Sequence, residues 1–132
     1  VMNKNLKALI HYRIEQADES MKAAEILFEN GSLRASVNWS YYAMFYMVLA
    51  LLTIESKETS KHSGAISLFD KIYVKSWLFS LELSRWLHYA FLKRMDADYN
   101  PIHSVSLEEA SEILNHAQEF IIKVKDYLQK NF

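Results

Sequence analysis

The chain has 132 residues, with 15 Lys and Arg against 16 Asp and Glu for a net charge of −1, and it has no cysteine. Disulfides and thiolate chemistry are therefore excluded, and no global field draws it to nucleic acid or anionic membrane, so any contact with RNA needs a local basic patch. Hydrophobic residues make up 51%, with two glycines and one proline, a balance that predicts nearly continuous helix in one domain over residues 1–132, large enough to bury a core unaided.

Leu6, Leu9, Ile10, Ile14, Ala17, Met21, Ala24 and Phe28 recur at three- and four-residue spacing and predict a first helix from about Leu6 to Glu29. The N-terminal Val-Met-Asn-Lys leads into no apolar core of the signal-peptide kind, so no targeting segment is expected. The lack of cysteine fits a reducing cytoplasm, the expected location. Asn30-Gly31 stops the first helix, and Ser32 is placed to cap a second running to about Ile54. So short a turn favours antiparallel packing of the two. Ala35 to Ile54 carries no charge and is about as long as a membrane span. Ser36, Asn38, Ser40, Tyr41, Tyr42 and Thr53 interrupt it, and its flanks are not strongly basic. Its neighbours have single apolar faces that need an apolar partner, so a central bundle helix is expected and no membrane.

Glu55 to Lys61 is polar and breaks the pattern. A short third helix follows from about Ser63 to Tyr73, with Ile66, Phe69 and Ile72 inward, and then a loop from Val74 to Phe79. Ser80 can cap a fourth helix whose inner stripe is Leu83, Leu87, Ala90 and Phe91. Pro101 disfavours a helical Asn100, so that helix ends near Tyr99. Ser106 and Glu109 form a capping box that opens a fifth, with Leu107, Ala110, Ile113, Leu114, Ala117, Phe120, Ile121, Val124 and Leu128 inward. No alternating strand pattern, repeat or linker interrupts the chain. The expected architecture is an all-α bundle of five helices, the first two long and antiparallel.

Polar groups at interior positions point to function. Arg34, Asn38 and Tyr42, four residues apart, line one face of the second helix beside Tyr41, and Phe45, Leu49 and Leu52 continue that stripe into the core. Arg94 extends the inner stripe of the fourth helix, with Asp98 four residues on as a pairing partner. Such groups either satisfy one another, fixing helix register, or meet a ligand: a guanidinium matches phosphate in a bidentate manner. Spacing alone leaves both open. The five histidines show no His-Glu-x-x-His spacing, so no metal site and no cofactor are expected. His11, His88 and His116 read as solvated or peripheral, while His62 and His103 fall in loops or at helix ends, where acid–base work is accessible.

Three blocks stand in order along the chain: Arg34-x-x-x-Asn38-x-x-Tyr41-Tyr42-Ala-Met-Phe45, Ser60-Lys61-His62-Ser63-Gly64, and Arg94-x-Asp96-Ala97-Asp98-Tyr99. By these the chain resembles the HEPN superfamily of small helical nucleotide-binding domains, above all its compact prokaryotic branch associated with nucleotidyltransferases. The resemblance implies a HEPN-like bundle that pairs as a symmetric homodimer, with the late-helix arginines near a shared cleft. It makes RNA or a nucleotide the expected ligand. Exposed aromatics such as Trp77, Trp86 and Tyr89 are candidates for the dimer face.

Many members of that superfamily are metal-independent ribonucleases with an arginine, a polar residue, and a histidine after four to six intervening positions. There the histidine handles the proton of the 2′-hydroxyl or leaving group, and the arginine offsets transition-state charge. Arg94 fits, but Met95 is not polar, Tyr99 stands where the histidine would be, and His103 comes after eight intervening positions. A phenol with an ordinary pKa near 10 is a poor base at neutral pH. The resemblance thus implies a binding and dimerisation module, partner of a nucleotidyltransferase in a toxin–antitoxin pair, with Tyr99 a candidate adenylyl acceptor. Its binding or structural network is Arg34, Asn38, Tyr41, Tyr42, His62, Asp96, Asp98 and Tyr99. The alternatives are an endoribonuclease using Arg94 and His103, or a purely structural helical dimer.

Overall fold

A computed structural model describes residues 4–57, 59, 61–98 and 104–131, together with the backbone of Tyr99. Its helices are α1 (Lys4–Glu29), α2 (Leu33–Ile54), α3 (His62–Phe69), α4 (Leu81–Tyr99) and α5 (Leu107–Asn131). No strand occurs among the described residues. The fold is the all-α five-helix bundle that the apolar periodicity predicts.

The α1–α2 reversal is built on Gly31, whose φ of +80° suits glycine. The Gly31 and Ser32 backbone N–H groups donate to the Phe28 and Leu27 carbonyls at 3.0 and 2.9 Å, closing the last turn of α1. Ser32 does not cap α2 with its side chain, contrary to expectation. That closure leaves Ser32 at φ −84°, ψ 72°, away from the extended conformation a capping serine needs. The helices return antiparallel: the buried Ser36 hydroxyl donates to the Ala24 carbonyl at 2.8 Å, with Ala17 and Ala24 fully buried in α1. Small side chains there let the two backbones approach.

Helix α2 packs on α1, α3, α4 and α5 and forms the centre of the bundle. Val37, Tyr41, Met44, Met47, Val48, Leu51 and Leu52 are all buried in it. It is long and apolar enough to cross a membrane by length and composition, but most of its apolar stretch is covered by the other helices.

Two further details differ from expectation. Helix α3 ends at Phe69, and Asp70–Val74 form a π-helical turn, not a continuation to Tyr73 followed by a loop from Val74. The widened turn lets the buried Tyr73 hydroxyl donate to the Leu51 carbonyl at 3.0 Å. It also leaves Asp70 facing α4, where Ser84 and His88 each bond to its carboxylate at 2.7 Å. Leu107, expected inward, is 62% exposed. It lies in the first turn of α5, before that helix reaches the core, so the buried stripe starts at Ala110 and runs to Leu128. The capping box itself forms: Ser106 N–H donates to Glu109 Oε1 at 3.0 Å, and Glu109 N–H to Ser106 Oγ at 3.1 Å.

Candidate functional site

Asn38 and Tyr42 sit one turn apart on α2, on the side that faces α4, and α4 brings Arg94 against them. Arg94 Nε donates to Asn38 Oδ1 at 2.9 Å and Nη2 to the Tyr42 hydroxyl at 3.2 Å. The guanidinium carbon lies 5.0 and 5.5 Å from the Tyr42 and Tyr41 ring centroids, a cation–π arrangement. Asp98 comes no closer than 3.9 Å and is well exposed, so it is a rim charge that holds the fork only weakly. No described residue bonds Nη1.

Tyr41, fully buried, carries the network one step further: its hydroxyl is 2.8 Å from His62 Nδ1. The His62 ring lies flat on Phe45 at 4.2 Å, and Phe91 packs against Tyr41 from α4. Burial pushes the Tyr41 phenol far above its ordinary 10, only partly opposed by Arg94, so it stays protonated. Burial, and then the positive charge of Arg94, hold His62 below 6.5, so its imidazole is neutral at neutral pH. The site thus places a fixed guanidinium beside a phenol that orients a neutral imidazole.

Of the residues expected at the site, Asn38, Tyr41, Tyr42, His62, Asp98 and Arg94 do gather. Arg34 does not: it is exposed and bonds to none of them. It belongs to the first turn of α2, where the helix has not yet entered the bundle, and its long side chain reaches water. Asp96 is exposed on α4. The α4 backbone stays helical through Tyr99, which places that residue about 140° round the axis from Arg94. The Tyr99 side chain and His103 lie outside the described residues. Among the other histidines, His11 and His88 are exposed, and His116 is half-buried with its ring on Trp86 at 4.8 Å. Trp86 and Tyr89, expected as exposed aromatics, are half-buried as well, because they pack on the core, while Trp77 is 85% exposed.

The far side of His62 opens on a cavity of about 470 Å³ with Arg13, Lys57 and Lys61 among its walls. Sequence reasoning missed Arg13 and Lys57. They stand far apart in the chain, and Arg13 has the look of an ordinary surface charge on α1. Among the described residues no three or more His, Asp and Glu side chains are gathered as a metal centre needs.

Comparison with known proteins identifies the family. The model of the HEPN domain family matches residues 10–127. A protein of Methanocaldococcus jannaschii bearing a provisional toxin name is 33% identical over 128 residues, 97% of this chain and 87% of its own. A second from that organism, similarly named, is 32% identical over 130 residues, covering 98% and 96%. A UPF0332 protein of Thermotoga maritima is 30% identical over 128 residues, covering 97% and 96%.

Proposed function

The chain belongs to the HEPN domain family, and from that premise we propose that it is an RNA-directed binding module of toxin type. It acts in the cytoplasm as a homodimer and is held in check by a nucleotidyltransferase partner. The observation that carries the RNA reading is the state of Arg94. Asn38 and Tyr42 fix the plane of its guanidinium, and Asp98 is too distant and too solvated to neutralise it. A preoriented fork whose Nη1 no described residue bonds is suited to phosphate, and little side-chain entropy remains to be lost on binding. The toxin names of the two M. jannaschii relatives support the toxin side.

The test is fluorescence anisotropy of a labelled single-stranded RNA with wild type and Arg94→Gln. A charge-assisted hydrogen bond contributes about 1.5–3 kcal/mol, so the variant is expected to bind at least about tenfold more weakly, with circular dichroism confirming that it is folded at the assay temperature. Equal binding by the variant, or no binding by folded wild type, overturns the reading.

One observation favours a metal-independent ribonuclease as second reading: the neutral imidazole of His62 shares Tyr41 and Tyr42 with Arg94, and it can accept a proton at neutral pH. That reading predicts cleavage of a mixed RNA in EDTA, abolished in Arg94→Ala. Loss of turnover in His62→Ala or in His103→Ala identifies the base.

A further inference from the structure

A chain of net charge −1 meets RNA only through a local concentration of cations. The cavity beyond His62 has one. Leu9 and Arg13, one turn apart on α1, form one wall, and the second half of α2 supplies the apolar floor of Phe45, Leu49 and Leu52. Lys57, Thr59 and Lys61 of the α2–α3 connection line it as well. Ser56 turns the chain at φ +55°, and Lys57 N–H closes back on the Leu52 carbonyl at 3.0 Å. Thr59 Oγ1 accepts the Lys61 N–H at 3.3 Å. Gly64 is glycine because a Cβ there would lie 2.5 Å from that same oxygen. Lys57 and Lys61, each with its backbone N–H bonded, thus stand at the cavity.

No carboxylate lines this cavity among the described residues. Among the described residues Arg13 has one side-chain hydrogen bond, Nη1 to Gln16 Oε1 at 3.1 Å. The volume suits one nucleotide unit. Cations on the rim above an aromatic and aliphatic floor match a ligand with an anionic phosphate and a flat, weakly polar body. An acidic peptide would match the cations but leave the floor unused. His62 is common to the cavity and to the Arg94 cluster, so a strand engaged at Arg94 leads directly into it.

We propose that this cavity is a second subsite for single-stranded RNA, holding a nucleotide adjacent to the one at Arg94, with Arg13, Lys57 and Lys61 on its phosphate and the base against His62 and Leu49. The proposal rests on the RNA-directed reading above and assigns it a footprint of at least two nucleotides.

Lys57 and Lys61 are exposed, so the double variant Lys57→Gln/Lys61→Gln keeps the fold, with circular dichroism as the check. Binding of a fluorescein-labelled uridine decamer is measured by anisotropy at several salt concentrations for wild type, the double variant and Arg94→Gln. Amide shifts of residues 57–64 are followed by NMR during titration with uridine 5′-monophosphate. The double variant is expected to bind the decamer at least about tenfold more weakly, and its salt dependence to flatten by about 1.4, two contacts at about 0.7 each. Uridine monophosphate is expected to shift the amides of wild type and not those of the variant.

Loss of decamer binding in Arg94→Gln but not in the double variant overturns the subsite and leaves the RNA reading standing. Amide shifts with the mononucleotide but no decamer binding by wild type support a nucleotide site and overturn the RNA reading. A glutamate decapeptide that shifts these amides when neither nucleotide probe does overturns the nucleotide assignment.

Discussion

Tyr41 joins the two halves of the site, one through its ring and the other through its hydroxyl. Replacing it by Phe keeps the ring in its fully buried seat and removes only the bond to His62 Nδ1. Calorimetry is expected to show a loss of about 1 kcal/mol, a few degrees in melting temperature at this size. His62 reports on the same network. Burial and Arg94 both disfavour its charged form, so its titration by NMR should fall below 6.5, and Arg94→Gln should move the midpoint upward by removing the second cause. The folded state prefers neutral His62 while the unfolded chain protonates near 6.5. Its contribution to stability is therefore full above about pH 6.5 and declines as pH falls from there through the folded midpoint. Arg34 taught the opposite lesson: four-residue spacing predicts a shared face, but a long side chain in a helix's first turn can still lie in water.

The helix ends carry their own test. Lys93 of α4 pairs with Glu109 of the α5 capping box, and that pairing, followed by the bond from the Ser106 backbone, lowers the Glu109 carboxyl to about 2. The stabilisation is present above the ordinary 4.5 and is lost as pH falls towards the folded value. Glu109→Gln should therefore melt below wild type at pH 6, with the gap narrowing on titration through pH 4 to pH 3, roughly the window set by those two values. A gap constant with pH would show that the amide loses capping and not charge. The π-helical turn offers a second element-scale prediction. Asp70→Ala leaves the buried Ser84 hydroxyl without its acceptor and releases His88, at an expected cost of about 1–3 kcal/mol in denaturant unfolding. That turn had no legible signal, because Ile66, Phe69, Ile72 and Tyr73 suit either helix type. The partners of Asp70 come from another element, and periodicity within one segment cannot see them.

Across the whole molecule, stability rests on burying α2 among four neighbours. Leu87 is fully buried in α4, and Leu87→Ala is expected to cost about 2–5 kcal/mol by equilibrium unfolding. A change in that range two turns along α4 from Arg94, at a residue that bonds no part of the site, should leave RNA affinity unaltered in the remaining folded protein, separating stability from recognition. The proposed homodimer should sediment at twice the monomer mass at micromolar concentration. Sedimentation as a monomer would remove the dimer from the functional reading.

Helix number, order and most helix bounds followed from the sequence by itself, because apolar spacing, Asn30-Gly31, Pro101 and the Ser106–Glu109 box all act within a few residues of one another. The three polar blocks were legible for the same reason, as was their resemblance to one family. Only the tertiary structure decided which members of those blocks meet. Arg94 reaches Asn38 and Tyr42 across more than fifty residues, Tyr41 reaches His62 across twenty-one, and Arg13 shares a cavity with Lys57 and Lys61. Those contacts depend on how helices rotate and approach when the whole apolar surface is buried at once, a condition that no local pattern encodes.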